Sequence, residues 1–221
     1  SNKTLEEREA ARQEKLEAQV SSAENFYNDN KKTIWGILVA AVVIVLGILA
    51  WNRFIYQPSC VEAQEQAFPA ETAFQRGEYE LALNGDGNNL GFADFIDQYG
   101  SKAGKSVYLY AGVCQLQLGN FEQAIELLKK YKGSEPILKA RALACIGDSY
   151  VGLEDYAQAV SWFRAATKVD DNVFNAGYLL KEGLAHEALG DKASALECYK
   201  SIQENYPQSI EAYEITKYIA R

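Results

Sequence analysis

Apolar residues follow two regimes along this chain. From Ile34 to Trp51 the run IWGILVAAVVIVLGILAW carries no charge, and eleven of its 18 residues are Leu, Ile or Val. Beyond residue 105 the apolar positions recur at helical spacing and are punctuated by short polar turns. The first regime predicts one membrane-crossing helix, and the second predicts repeated helical hairpins.

The repeat is marked by Gly112, Gly147 and Gly183, which stand 35 and then 36 residues apart. Seven residues after each comes Gly119, Glu154 or Gly190, each preceded by a leucine (Leu118, Leu153, Leu189). Five further on stands Ala124, Ala159 or Ala195, followed by a large apolar residue, Leu128, Phe163 or Tyr199. The first glycines are expected to let two helices approach closely, and the second set to turn the chain between them. Pro136 and Pro207 are read as ending their repeats, because proline cannot continue a helix.

This pattern resembles the tetratricopeptide repeat, with units at 105–138, 140–173 and 176–209. It departs from the family's pattern at Tyr131, Ile202, Asp171, Lys192 and His186. The resemblance implies an α-solenoid, so with the apolar run the fold expected is all-α: a single N-terminal transmembrane helix followed by the repeats. A degenerate unit and linker helices are expected at 57–104; the unit ends at Gly77-Glu78-Tyr79-Glu80-Leu81-Ala82, and the stretch 84–89 interrupts its second helix. Residues 210–221 read as a capping helix that shields the apolar end of the stack.

The apolar run spans about 27 Å as a helix, close to the hydrocarbon thickness of a bilayer. Its Leu, Ile and Val residues favour insertion by about 3–7 kcal/mol. Ile34 opens the anchor, with Trp35 and Trp51 as interface aromatics at its ends, and Gly36 and Ala40 form one small-xxx-small pair. A polar arm precedes the run and no small-residue cleavage site follows, which argues against a signal peptide. Lys31, Lys32 and Lys15 outweigh Arg53, so the N-terminus is expected in the cytoplasm and the repeats across the membrane. The anchor with its flanks covers 31–56. The arm at 1–30 reads as a polar cytoplasmic helix, capped by Thr4 with Glu7 and carrying a thin stripe of Leu5, Leu16 and Val20. It is broken at Asn25–Asn30 before the membrane.

Composition narrows the function. The net charge is −8 and the isoelectric point about 4.9, which excludes a basic nucleic-acid surface. Four cysteines without CxxC spacing and a single histidine make a poor zinc set. Cys114, Cys145 and Cys198 read as buried small hydrophobes. Cys60 does not follow a lipoprotein pattern, since Gln57 stands where a leucine is expected. Gly104-Lys105-Ser106 lacks both the preceding glycine and the strand of a phosphate loop. Asn84–Asn88 resembles the start of a calcium loop, but Asn89 and Phe95 stand where Gly and Glu are required. No catalytic residue, cofactor, metal ligand or small-molecule substrate is predicted.

In the family's register the inner face of the stack includes Leu109, Val113, Leu116, Asp148, Val151, Leu180, Leu184 and Glu187. This largely apolar surface suits an extended peptide, a partner helix or unfolded chain. The order of anchor, degenerate unit, three repeats and cap resembles the YfgM-like membrane proteins. That resemblance implies an ancillary subunit of the Sec translocon in the bacterial inner membrane. Its periplasmic repeats would bind nascent envelope proteins beside a membrane-anchored chaperone. A scaffold for another envelope assembly, or a regulatory adaptor, fits the same residues.

Overall fold

The computed structural model describes residues 5–219, so Thr4 of the expected capping box and residues 220–221 of the capping helix lie outside it. Among the described residues there are eleven α-helices and no strand. The chain divides into two units, Ser1–Pro58 and Ser59–Arg221.

In the first unit α1 runs from Leu5 to Trp51 without interruption. The expected break at 25–30 does not occur. That stretch holds neither glycine nor proline, and Asn30 Nδ2 donates to the carbonyl of Phe26, one turn back, at 2.9 Å. Asparagine and aspartate weaken a helix by only a few tenths of a kcal/mol each, roughly, and a long flanking helix overrides that. Residues 34–51 are exposed along almost their whole length. Among the described residues one helical stretch is long and apolar enough to cross a membrane. Its most apolar 18-residue window has a mean hydropathy of 2.7, and none of it is buried. A π-helical segment, Asn52–Tyr56, follows.

The second unit is a stack of antiparallel helix pairs. Its helices are α2 (Gln57–Gln75), α3 (Tyr79–Asn84), α4 (Phe92–Tyr99), α5 (Ser106–Gln117) and α6 (Phe121–Lys130). They continue with α7 (Pro136–Gly152), α8 (Tyr156–Thr167), α9 (Asn175–Ala188), α10 (Lys192–Asn205) and α11 (Ile210–Ile219). Pro136 does not close a repeat; it is the first residue of α7. Its missing N–H costs nothing there, because the first turn of a helix has no acceptor for it.

The glycines at the repeat period do what their spacing predicts. A Cβ on Gly112 would lie 2.6 Å from Leu128 Cγ, and one on Gly147 would lie 2.6 Å from Phe163 Cε1. On Gly183 it would run into the ring of Tyr199. Each glycine thus faces the large apolar residue of its own repeat. Ala124 and Ala159 are fully buried, and Ala195 nearly so, at the neighbouring tight position.

The turns share one hydrogen-bond plan. The N–H of Gly119 donates to Leu116 O and that of Asn120 to Gln115 O. The same pair recurs as Glu154 to Val151 and Asp155 to Tyr150, and as Gly190 to Glu187 and Asp191 to His186. It is the Schellman closure, which needs a left-handed residue at its centre. Gly77 to Phe74 and Glu78 to Ala73 repeat it at the end of α2. The next helix, α3, stops after six residues. Phe92 and Phe95 of α4 then fill the core beside Phe74 and Tyr110.

Glu154 occupies the left-handed position with φ of 59°. That conformation costs an L-residue roughly 1–2 kcal/mol, of which glycine's greater unfolded entropy returns about half. Glu154→Gly is therefore expected to stabilise the protein by about 0.5–1 kcal/mol, read as a rise in the thermal midpoint. The following residue caps the next helix. Asp155 accepts from the Gln158 N–H at 3.1 Å, whereas Asn120 turns its amide to Gln115 instead. Asp155→Ala should cost about 1 kcal/mol in denaturant unfolding and Asn120→Ala less.

Apolar residues are passed from pair to pair. Leu109, Ile125, Leu128 and Ile146 fill the space between α5, α6 and α7. Val160, Phe163 and Ala185 continue through α8 and α9. Tyr199, Ile202 and Ile215 close the stack at α11.

Candidate functional site

The helices that open each repeat, α5, α7 and α9, line a cavity of about 590 Å³ that the start of α11 closes. Val113 and Leu116 come from α5, Arg141, Cys145 and Asp148 from α7, and Tyr178 and Lys181 from α9. Phe174, Val173 and Ile210 form a rim that is largely exposed. A cavity of this size with an apolar lining and a few polar groups is the usual form of a binding site.

Its charged residues are the Lys181–Asp148 pair, Arg141 and Glu211. Lys181 Nζ donates to Asp148 Oδ2 at 2.7 Å, tying α9 to α7 across the floor. Arg141 lies exposed on the wall, so its guanidinium is available to a carbonyl or carboxylate of a bound chain. Burial pushes the Cys145 thiol up to about 11. It is therefore a packed apolar surface rather than a nucleophile. Burial also raises the Tyr178 hydroxyl above its ordinary value. The arrangement can hold a chain segment by apolar contact and hydrogen bonds.

Of the residues expected on the inner face, Val113, Leu116 and Asp148 line this groove. Leu109 does not: it is 2% exposed and belongs to the core. Leu180 packs partly against the core of the last repeat. Val151 and Leu184 are exposed, at 38% and 39%, but lie outside the cavity. Glu187 borders a separate cavity with Lys192 and Tyr218. The physical reason is drift. The groove takes the C-terminal end of α5, the middle of α7 and the N-terminal half of α9. A stack of repeats twists as it grows, so a register held fixed from one repeat to the next does not follow the groove. Arg141, Phe174, Tyr178 and Lys181 were missed for that reason. The signal that could have found them is the Lys181–Asp148 pair, opposite charges 33 residues apart, one repeat less about one turn.

The anchor residues Ile34, Trp35, Gly36, Ala40 and Trp51 all fall within α1. Trp35 Nε1 donates to Tyr27 Oη at 3.2 Å, and a Cβ on Gly36 would meet nothing within 4 Å. The calcium-like segment is closed on itself. Asp86 accepts from the Asn88 and Asn89 N–H groups and from Asn89 Nδ2, and those bonds, led by Asn89's, hold its carboxyl below the usual range. The segment before Lys105 is a 3₁₀ turn, Gly100–Ala103, not the strand of a phosphate loop. Cys114, Cys145 and Cys198 are buried free thiols.

A family model described as tetratricopeptide repeat matches residues 146–210, and a second with the same description matches 106–136. No curated protein matches the sequence. A crystal structure of MamA is similar at 19% identity with a TM-score of 0.52, over 68% of this chain and 90% of that one. The structure of MamA 41-end from Desulfovibrio magneticus RS-1 is similar at 15% identity and a TM-score of 0.53, over 76% and 96%. At these identities the likeness is one of fold. Tetratricopeptide repeats generally mediate protein–protein interaction. The chain carries such repeats at 106–136 and 146–210, within an all-helical stack.

Proposed function

We propose that this protein is a membrane-tethered scaffold that binds a segment of another protein in the groove between α5, α7, α9 and the start of α11. The observation that carries this reading is the groove itself, with its exposed apolar rim at Phe174, Val173 and Ile210 and its open Arg141. The apolar surface offers burial to an extended or helical segment, and Arg141 offers donors to its backbone. Residues 34–51 are the tether. Holding the groove near a membrane raises its effective concentration toward partners at the same surface.

The finer reading rests on the layout shared with YfgM-like proteins. It makes the protein a chaperone-like ancillary subunit of the Sec translocon in the inner membrane, with the repeats periplasmic and nascent envelope proteins as clients. Emerging chains expose the apolar segments that such a groove accepts. Binding alone would be the mechanism.

Site-specific photo-crosslinking in membranes tests both levels. A crosslinker at Tyr178 probes the groove, one at Gly36 probes the anchor, and Val151 serves as a surface control. Adducts at Tyr178 but not at Val151 support the scaffold. Translocon subunits at Gly36 with envelope proteins at Tyr178 support the secretion role. A single unrelated envelope complex at both positions rejects that role and keeps the scaffold. No adduct at Tyr178 in the folded protein rejects the scaffold as well.

A further inference from the structure

Away from the groove, α9 and α10 bring together three side chains of metal-binding type. Glu182 and His186 are four residues apart on α9 and so share one face. Cys198 faces them from α10. All three are buried, and one donor atom from each lies within 4.8 Å of the others. Glu182 Oε1 and His186 Nε2 are 3.8 Å apart. The edge of a tetrahedron built on zinc–nitrogen and zinc–oxygen bonds is about 3.4 Å, so a small closing movement suffices.

A cation already stands at this place. Arg164 of α8 donates through Nε to Glu182 Oε1 at 2.8 Å, and its Nη2 lies 3.2 Å from His186 Nε2. A guanidinium has no acceptor, so Nε2 must accept and the ring proton sits on Nδ1. Nδ1 is buried without a hydrogen bond, and Asp191 Oδ2 faces it at 3.5 Å. A histidine that offers one nitrogen inward and turns the other toward a carboxylate has the orientation of a metal ligand. The Arg164 side chain is half exposed. It can swing into water, whereas Glu182 cannot leave.

We propose that Glu182, His186 and Cys198 form a site for a thiophilic divalent cation, zinc above all, in which the ion replaces the Arg164 guanidinium. Glu182 Oε1, His186 Nε2 and Cys198 Sγ supply three ligands, and water supplies the fourth. The sulfur coordinates as thiolate, and its proton passes to solvent water as the ion binds. One sulfur and one imidazole exclude calcium and magnesium, which take oxygen ligands. The site lies between α9 and α10 and is independent of whatever the groove binds.

The full chain in detergent is titrated with Co²⁺ as a spectroscopic probe, then with Zn²⁺ as competitor. One equivalent should bind with a sulfur-to-cobalt charge-transfer band that zinc removes. The band should be lost in Cys198→Ser and kept in Cys60→Ser. Arg164→Gln should bind about ten-fold tighter or more, because the ion no longer displaces hydrogen bonds from a charged group. Its thermal midpoint should rise with Zn²⁺ by more than that of the unaltered chain. If Cys198→Ser fails to fold, the Arg164→Gln comparison decides alone. A thiolate band absent from both the unaltered chain and folded Arg164→Gln overturns the proposal. A band that persists in Cys198→Ser, or vanishes in Cys60→Ser, overturns it too.

Discussion

Gly147→Val is expected to destabilise the repeat stack by about 2–3 kcal/mol, and so to lower its thermal midpoint by about 5–12 °C. The new Cβ alone would lie 2.6, 2.7 and 3.0 Å from three carbons of the Phe163 ring. Phe163 is fully buried and packed in a core with Val160, Ala166 and Ala185, so the ring has nowhere to retreat. Either α7 and α8 must part or the ring must leave its rotamer, and both sacrifice packing. Two companions make the cause testable. Phe163→Leu should recover part of the loss when combined with Gly147→Val, giving a coupling of about 0.5–3 kcal/mol in a double-mutant cycle. Gly177→Ala should be near neutral, because its Cβ would meet only the tip of the Glu211 side chain, at 3.1 Å. If Gly147→Val and Gly177→Ala melt alike, close approach of the helices is not what the glycine serves.

The pairing of Gly147 with Phe163 was legible because both partners lie within one repeat, 16 residues apart. The same holds for the turns: Glu154 stands where Gly119 and Gly190 stand, and the closure is made within six residues. Features set by a single hairpin leave their mark in local spacing. Two local signs misled for a common reason. Asn25–Asn30 and Pro136 are weighed as helix breakers by type, but position decides. Asn30 bonds back along α1, and proline is at home in the first turn of α7.

The groove was only partly legible, since its lining depends on how each hairpin is rotated on the last. No single residue records that rotation. Val113 and Asp148 lie where α5 and α7 were expected to contribute, but by α9 the lining has moved to Tyr178 and Lys181. The Glu182–His186–Cys198 cluster was hidden differently. Its i, i+4 pair is plain in α9, but Cys198 joins it only because α10 returns antiparallel beside α9. Zinc motifs read by spacing assume short ligand loops, and this cluster has none.

Ile215→Asp is expected to unfold the end of the stack before the rest, at a cost of about 3–5 kcal/mol. Ile215 is 1% exposed and seals α11 onto Tyr199, Ile202 and Ala176. Removing an isoleucine side chain from such a place costs about 2–5 kcal/mol, and a buried carboxylate adds its desolvation. Ile215→Val, which keeps the surface apolar, should cost only about 0.5–1.5 kcal/mol. Each pair in a solenoid contacts only its neighbours, so the loss should be local. Amide exchange in α9 and α10 should speed up by about a hundredfold or more, while α5 and α6 keep their protection. The same variant should weaken binding in the groove, because Ile210 and Glu211 at the start of α11 form its closing wall. Uniform loss of protection from α5 to α10 would instead mean that the stack unfolds as one cooperative unit. Groove and core could then not be separated by any substitution at this end. Local loss with intact α5 and α6 would make α11 a detachable wall, on which access to the groove depends.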